Sequence, residues 1–344
     1  MNTRVLVSIV TYNSGPYIQS CLESLRAQTC KDFSVAVWDN ASTDATSAIL
    51  RNSAKDLSFV HFSPRNVGFC AAQNRLIASA ASDYCLVLNP DAVLDAHYLE
   101  ALIREMDRDA TAGSASGRLW RLQSGVSDPA HQGEARKILD TAGIYLTPNQ
   151  RHLDRGSGDI DAGQYENTEY IFGASGAAAF YRRSMLEDVR AGDEYFDESF
   201  FAYREDADLA WRAQWRGWRC LYVPEAKGYH VRRVLPERRA ALPETINMHS
   251  FKNRFLLRIK NMDGGTYLRF LVPITLRDAA ALVYVLARER SSIRGIPLLY
   301  RAMPGAWAAR RWIKDNRRIS PGEMRSWFSA RPVAKPRVEQ GEKL

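Results

Sequence analysis

Apolar positions in the N-terminal part of the chain come in short continuous runs separated by stretches with helical spacing. VLVSIV at residues 5–10 is β-branched and uninterrupted, as a buried strand requires, and Ile18, Cys21, Leu22 and Leu25 then recur at helical intervals over residues 17–28. FSVAVW (33–38), FVHF (59–62) and YCLVL (84–88) read as further strands, with helices predicted over 42–53 and 70–81. Strands alternating with helices predict a doubly wound parallel sheet, in which ligands bind at the carboxyl ends of the strands. Those ends are polar: Thr11, Tyr12 and Asn13 follow the first strand, Asp39 and Asn40 the second, Asn89 and Asp91 the fourth. Three polar termini on one predicted edge suggest a site.

Between residues 107 and 169 the pattern loosens into Gly, Ser, Asp and Arg, and an irregular segment is expected. Order resumes at YIFGASGAAAFY (170–181), where Gly173 and Gly176 permit close backbone approach. A helix is predicted over 205–215 and a short strand over 220–223. Beyond Arg232 the chain turns Arg-rich, which places a boundary near residues 235–245. The expected organisation is a catalytic domain over 1–240, a basic helical extension over 241–330 and a disordered tail over 331–344.

Charge sharpens that division. Residues 231–344 hold 24 Lys and Arg against 9 Asp and Glu, whereas residues 1–230 hold 23 against 30. A basic segment meets nucleic acid or anionic lipid headgroups. Here the basic residues are interleaved with Leu, Ile, Val and Trp, as in FKNRFLLRIKN (251–261), RFLVPITLRDAAALVYVLARER (269–290) and AWAARRWIKDNRR (306–318). Such amphipathic basic helices lie in the membrane interface. The plainer alternative is that they pack on the catalytic domain or form a homo-oligomer interface. No nucleic-acid motif is present, so nucleic acid is not expected as a partner. Five scattered cysteines without a C-x-x-C pair argue against a disulfide framework and a structural zinc site, and point to a reducing, cytoplasmic setting. No run approaches the ~18 uncharged apolar residues of a membrane span, and no signal peptide is expected.

Five stretches carry candidate chemistry. In LVLNPDAVL (86–94), Asn89, Pro90 and Asp91 form either a tight turn or a site where Asp91 holds a divalent cation for a phosphorylated ligand. In VWDNASTDAT, Ser42 or Thr43 is expected to cap the following helix, while Asp39 lies before the cap and can accept a hydrogen bond from a base or ribose. RNVGFCAAQN (65–74) places Arg65, Asn66 and Gly68 ahead of a helix, a plausible phosphate neighbourhood. In FFAYREDADLAWRAQWRGW (200–218), Glu205, Asp208 and Arg212 share a helix face, with an Asp208–Arg212 salt bridge as the plain reading, and Asp206 projects differently. The aromatic surroundings of Asp206 favour a working carboxylate whose pKa is lifted by burial. His230, in GYHVRRV, is either a structural histidine or a ligand.

Taken in order, VLVSIVTYN, VWDNASTD, RNVGFCAAQN, LVLNPDAVL, FGASGAAAFYRR and REDADLAWRAQWRGW resemble the family 2 glycosyltransferases, most closely the bacterial rhamnosyltransferase-like branch. The resemblance covers residues 4–260. It implies a GT-A fold: a doubly wound mixed α/β sheet with a Rossmann-like nucleotide-binding half, here followed by a helical, membrane-associating extension. It also implies a sugar nucleotide donor, Mg²⁺ or Mn²⁺, and inversion at the anomeric carbon. Carried over by position, Thr11 and Asn13 line the nucleotide, Asp39 contacts its base, and Arg65, Asn66 and Gly68 lie around it. Asn89 and Asp91 fill the family's D-x-D slot, with Asp91 on the metal and His230 a further metal ligand. Asp206 is the base, and Glu205, Arg212 and Arg232 are further substrate contacts. Asn89 replaces the first Asp of the motif and removes one charge from the metal site.

The expected activity is inverting transfer, with L-rhamnose from dTDP-L-rhamnose moved to a polyprenyl-diphosphate-linked or other glycan acceptor. The expected location is the inner face of the cytoplasmic membrane. Galactofuranose, a hexose or an N-acetylhexosamine are alternative sugars, and a sugar-nucleotide-binding protein without transfer activity is the alternative class.

Overall fold

The computed structural model describes residues 3–122, 137–232 and 243–337. Strands β1 (Val5–Thr11), β2 (Phe33–Asp39), β3 (Phe59–Phe62) and β4 (Tyr84–Leu88) alternate with helices α1 (Gly15–Arg26), α2 (Thr46–Asn52) and α3 (Phe69–Ala78). The strands pair in parallel in the order β3-β2-β1-β4. β1 is buried at every position, as a central parallel strand covered on both faces must be. Its mid-strand hydroxyl, Ser8, donates to Gln73 Oε1 on α3 at 2.5 Å, so the buried hydroxyl itself is paired. The register sets Thr11 beside Asp39 and Ile9 beside Leu88, which brings the polar residues after these strands to one edge.

α2 is shorter than expected because Ser42 and Thr43 do not cap it. The Ser42 hydroxyl turns back to Asp39, and Asp44 accepts the Thr46 amide at 3.0 Å.

The next part of the chain supplies β5 (Ala92–Leu94), α4 (Tyr98–Arg108), β6 (Ala112–Arg121), β7 (Leu139–Thr141), β8 (Ile144–Leu146), β9 (His152–Asp154), β10 (Glu169–Ile171) and β11 (Ala178–Arg182). α5 (Arg183–Asp188), α6 (Glu205–Trp215) and β12 (Arg219–His230) follow. β11 lies antiparallel between β4 and β6, β12 runs parallel to β6, and β10 is antiparallel to β12, making the sheet mixed. Two expectations change here. The segment read as irregular holds β6 to β9; AGSASG in β6 escaped the apolar pattern because small residues are required there. A Cβ on Gly117 would stand 2.3 Å from the Ala226 carbonyl oxygen and 2.7 Å from the Tyr98 ring. β12 is far longer than the predicted 220–223 strand, because a register shift between Val223 and Lys227 absorbs Pro224 and lets pairing resume as far as His230.

The C-terminal part forms α7 (Glu244–Asn261), α8 (Gly264–Arg269), α9 (Leu271–Arg288), α10 (Gly295–Asn316), α11 (Pro321–Arg325) and β13 (Lys335–Pro336). The expected boundary falls largely on residues 233–242, outside the described residues. α7 is built into the catalytic body: Lys260 and Asn261 bond Asp208 of α6 at 3.0 and 2.8 Å, and Trp215 Nε1 donates to the Asn261 carbonyl at 2.9 Å. The plainer packing alternative therefore describes residues 251–261. α9 is different, burying only Ile274 and Val285. Residues 331–337, expected within a disordered tail, include an edge strand: β13 pairs with β10, and Arg337 bonds Glu105 of α4 at 2.5 Å. No described helix is long and apolar enough to cross a membrane.

Candidate active site

At the carboxyl end of β1 and β2, Asp39 is buried and gathers three hydroxyls: Thr11 at 2.9 Å and Ser42 at 2.5 Å on Oδ1, and Ser47 at 2.8 Å on Oδ2. Thr11 is buried with it. Both predicted nucleotide contacts thus lie beneath the surface as a brace, with one acceptor position left on Asp39 Oδ2. Above them, Asn13 adopts a left-handed backbone (φ 50°) and accepts the Thr43 amide at 2.8 Å, which ties the loop after β1 to the loop after β2. Tyr12 is 51% exposed on the same edge. An aromatic ring there is available to stack on a base; sequence reading noted its place at the strand end and gave it no role.

Beyond β3, Arg65 and Asn66 are exposed, and Asn66 Oδ1 accepts the Gly68 amide at 2.9 Å. Gly68 has φ 90°, and a Cβ on it would stand 2.6 Å from the Phe201 ring. The Cys70 amide donates to the Phe201 carbonyl at 3.1 Å. The start of α3 thus meets the loop that leads into α6, and part of its amide potential is spent on Phe201.

The residues after β4 form the predicted tight turn, closed by the Ala92 amide on the Asn89 carbonyl at 3.2 Å. The turn also presents a cluster. Asp91 Oδ1 lies 3.3 Å from His230 Nε2, Asn89 Nδ2 lies 3.4 Å from the same nitrogen, and His230 Nδ1 meets Asp140 Oδ2 at 2.8 Å. β5 pairs with the end of β12, setting Ala92 against His230. Burial opposes charge on His230, but Asp91 and Asp140 outweigh it and push the imidazole up to about 10.

From this cluster a polar chain runs to α6. Arg232 bridges Asp140 at 3.1 Å and Asp154 at 2.6 Å; Ser175 donates to Asp154 at 3.0 Å; and the next amide, Gly176 N, donates to Asp206 Oδ2 at 3.1 Å. Asp206 Oδ1 accepts its neighbour's amide, Ala207 N, at 2.7 Å. Burial raises the pKa of Asp206, with the charge of nearby Asp154 adding to it and hydrogen bonds to Gly176 and Ala207 opposing. Glu205 is raised by burial and then by Asp206, and its Oε2 is buried without a hydrogen-bond partner. Burial thus pushes both carboxyls of the pair upward, and the charge of Asp206 pushes Glu205 further.

Two expectations on α6 separate. The Asp208–Arg212 pair forms at 3.0 Å but is fully buried. Arg212 also donates to the carbonyls of Val189 and Tyr195. Its guanidinium is a core brace, which removes it from the expected substrate contacts. Arg232, expected as a substrate contact, has its guanidinium engaged by the carboxylates of Asp140 and Asp154. Sequence reading missed Asp140, Asp154 and Ser175, whose partners are remote in the chain, and His152, whose Nδ1 lies 3.0 Å from Arg204 NH1. The only available signal was the density of Asp, Ser and Gly in the segment read as irregular.

The family model described as glycosyl transferase family 2 matches residues 6–190. The chain belongs to glycosyl transferase family 2. The transferase is 30% identical over 235 residues to an N-acetylglucosaminyl-diphospho-decaprenol L-rhamnosyltransferase of Mycobacterium tuberculosis, a match covering 65% of this chain and 75% of that one. Its fold resembles S. aureus TarS 1-349 in complex with UDP-GlcNAc, with a TM-score of 0.54 and 18% identity over 92% of this chain and 91% of the other. It also resembles GalNAc-T7 with UDP, GalNAc and Mn²⁺, with a TM-score of 0.56 and 14% identity over 75% of this chain and 48% of that one. The fold is therefore GT-A. The family match takes in Asp39, Asn89 and Asp91 but ends before Asp206 and His230.

The donor set beside β4 fits a divalent ion once the ion displaces the proton that Asp91 and Asp140 favour on His230. One carboxylate oxygen and one imidazole nitrogen stand 3.3 Å apart, and the second ring nitrogen is fixed by Asp140, the arrangement that orients ligating histidines. Among the described residues no group of three or more His, Cys, Asp or Glu could hold a metal. An ion at Asp91 and His230 would need a substrate diphosphate to complete its shell, as Mg²⁺ and Mn²⁺ commonly do.

Proposed function

We propose that this transferase moves L-rhamnose from dTDP-L-rhamnose to a polyprenyl-diphosphate-linked saccharide, with inversion, during cell-surface polysaccharide assembly. The observation that carries the reading of the site is the run of polar contacts from Asp91 through His230, Asp140, Arg232 and Asp154 to Ser175, whose neighbour Gly176 donates its amide to Asp206. The donor sugar and acceptor class rest on the mycobacterial likeness. In this reading the nucleotide lies over Tyr12 and Asn13, with Asp39 toward its base and Arg65, Asn66 and Gly68 around it. Asp91 and His230 would hold a divalent ion, which would supply positive charge against the departing diphosphate. Asp206 accepts the proton of the acceptor hydroxyl, that oxygen bonds to the anomeric carbon, and the bond to the diphosphate breaks on the opposite face.

The donor assignment is tested by ligand-induced thermal shift across sugar nucleotides with Mn²⁺ present. A ligand at 100 times its Kd stabilises the native state by about 2.7 kcal/mol, so dTDP-L-rhamnose is expected to give the largest rise in Tm. A larger rise with a UDP- or GDP-sugar would replace it.

The acceptor's lipid carrier gives the C-terminal helices a purpose. Leu268, Val272, Leu276 and Val283 are each at least 66% exposed and form an apolar line along α8 and α9, with Tyr300 and Trp307 exposed on α10. Arg269, Arg288, Arg290, Arg294 and Arg301 are exposed along the same stretch of chain, Arg294 paired with Glu244 at 2.8 Å, and Asp278 on α9 is engaged by Arg258 at 2.5 Å. A second copy brought to this face would set arginine against arginine, whereas anionic headgroups gain about 1 kcal/mol per basic residue near the surface. The face therefore suits the inner leaflet of the cytoplasmic membrane. The triple change Val272→Asp, Leu276→Asp and Val283→Asp is expected to abolish pelleting with phosphatidylglycerol-containing vesicles while leaving the fold intact. Unchanged pelleting would rule this face out as the anchor.

A further inference from the structure

The loop leading into α6 is gripped by α7. Asn253 is fully buried, and its Nδ2 lies 2.9, 2.8 and 2.7 Å from the carbonyl oxygens of Phe200, Ala202 and Tyr203. Lys252 donates to the Ser199 carbonyl, and Lys260 bonds Asp197 at 2.5 Å. The gripped backbone is strained. Phe201, Tyr203 and Arg204 have φ of 66°, 70° and 73°, a region that costs non-glycine residues about 1–3 kcal/mol each and persists only where the surroundings enforce it. An amide nitrogen has two hydrogens, so three carbonyls share them, and Asn253 Oδ1 is left buried without a partner. A side chain that served packing alone would have no need of this one-sided arrangement.

We propose that Asn253 is a positioning residue: by gathering the carbonyls of Phe200, Ala202 and Tyr203 it holds the left-handed turn that aims the Asp206 carboxylate at the acceptor hydroxyl. The inference rests on Asp206 being the base. It makes α7, which lies beyond the family match, part of the catalytic apparatus.

The test uses Asn253→Ala, Asn253→Asp and Asn253→Gln in the full chain. Amide hydrogen exchange over residues 200–206 should speed at least tenfold in the Ala and Asp variants, with β1 and β4 still protected. kcat should fall about 100-fold, the usual consequence of misplacing a reacting group by an ångström, while the donor KM changes less than threefold. Asn253→Gln, which keeps the amide, should recover part of the loss, and Asn253→Asp, which sets a carboxylate against three carbonyls, should be the worst. Unchanged exchange over 200–206, or kcat within twofold of wild type, would overturn the proposal. So would loss of protection in β1 and β4 in all three variants, which would make Asn253 a folding residue. If Asp206→Asn retains turnover, the base assignment fails instead, and the exchange data still report separately on the grip.

Discussion

Asp206→Asn is expected to lower kcat about a thousand-fold while donor affinity stays within about twofold. The amide keeps the shape of the carboxylate but cannot take a proton, and general bases contribute roughly 10²- to 10⁴-fold to such steps. The amides of Gly176 and Ala207 donate to the two different oxygens of Asp206, so an Asn side chain keeps one of these bonds and loses the other; the change is confined to this pair of bonds and the fold should survive it. The pH profile gives an independent reading. Burial raises the pKa of Asp206, and the base acts only when ionised. Activity should therefore rise with pH through a limb that lies above the ordinary aspartate value of about 3.9, and Asp206→Asn should lack that limb. Steady-state kinetics with isothermal titration of the donor checks both; turnover within tenfold of wild type would remove Asp206 from the role.

The second large effect is expected at the other end of the polar chain. Asp91→Ala removes the only carboxylate of the metal pair and leaves His230 held by Asp140 alone. Stabilisation of a departing diphosphate is worth several kcal/mol, so kcat/KM should fall by about 10³-fold, and added Mn²⁺ should not restore it. Wild-type activity should fall comparably in excess EDTA and return with Mn²⁺ or Mg²⁺. Because two protein ligands are too few to retain an ion alone, Mn²⁺ should bind tightly only when nucleotide is present. Full activity in excess EDTA would refute the metal role.

The parallel half of the sheet was legible because its strands are continuous apolar runs, a direct consequence of burial on both faces. The burial of Asp206 was legible for a similar reason, as a carboxylate among aromatic residues. The antiparallel half was not. β6 is specified by glycine, alanine and serine that admit Tyr98 and a neighbouring backbone, so its signal is an absence of bulk. Asp140 and Asp154 sit on strands of three residues, too short for periodicity, and their partners Arg232 and Ser175 are remote in sequence. Arg212 misled because spacing locates a helix face but does not say whether that face is buried. Ser42 misled because a hydroxyl near a helix start can serve a carboxylate as readily as the helix amides.

The account stands on a single donor sugar lying between the turn after β4 and the start of α6. A crystal structure of the Asp206→Asn variant with Mn²⁺ and the intact sugar nucleotide that gives the largest thermal shift tests it directly. The predicted result is a diphosphate and ion against Asp91 and His230, with the open face of the anomeric carbon turned toward position 206. A diphosphate seated away from Asp91, or a sugar whose anomeric carbon faces away from α6, would contradict it.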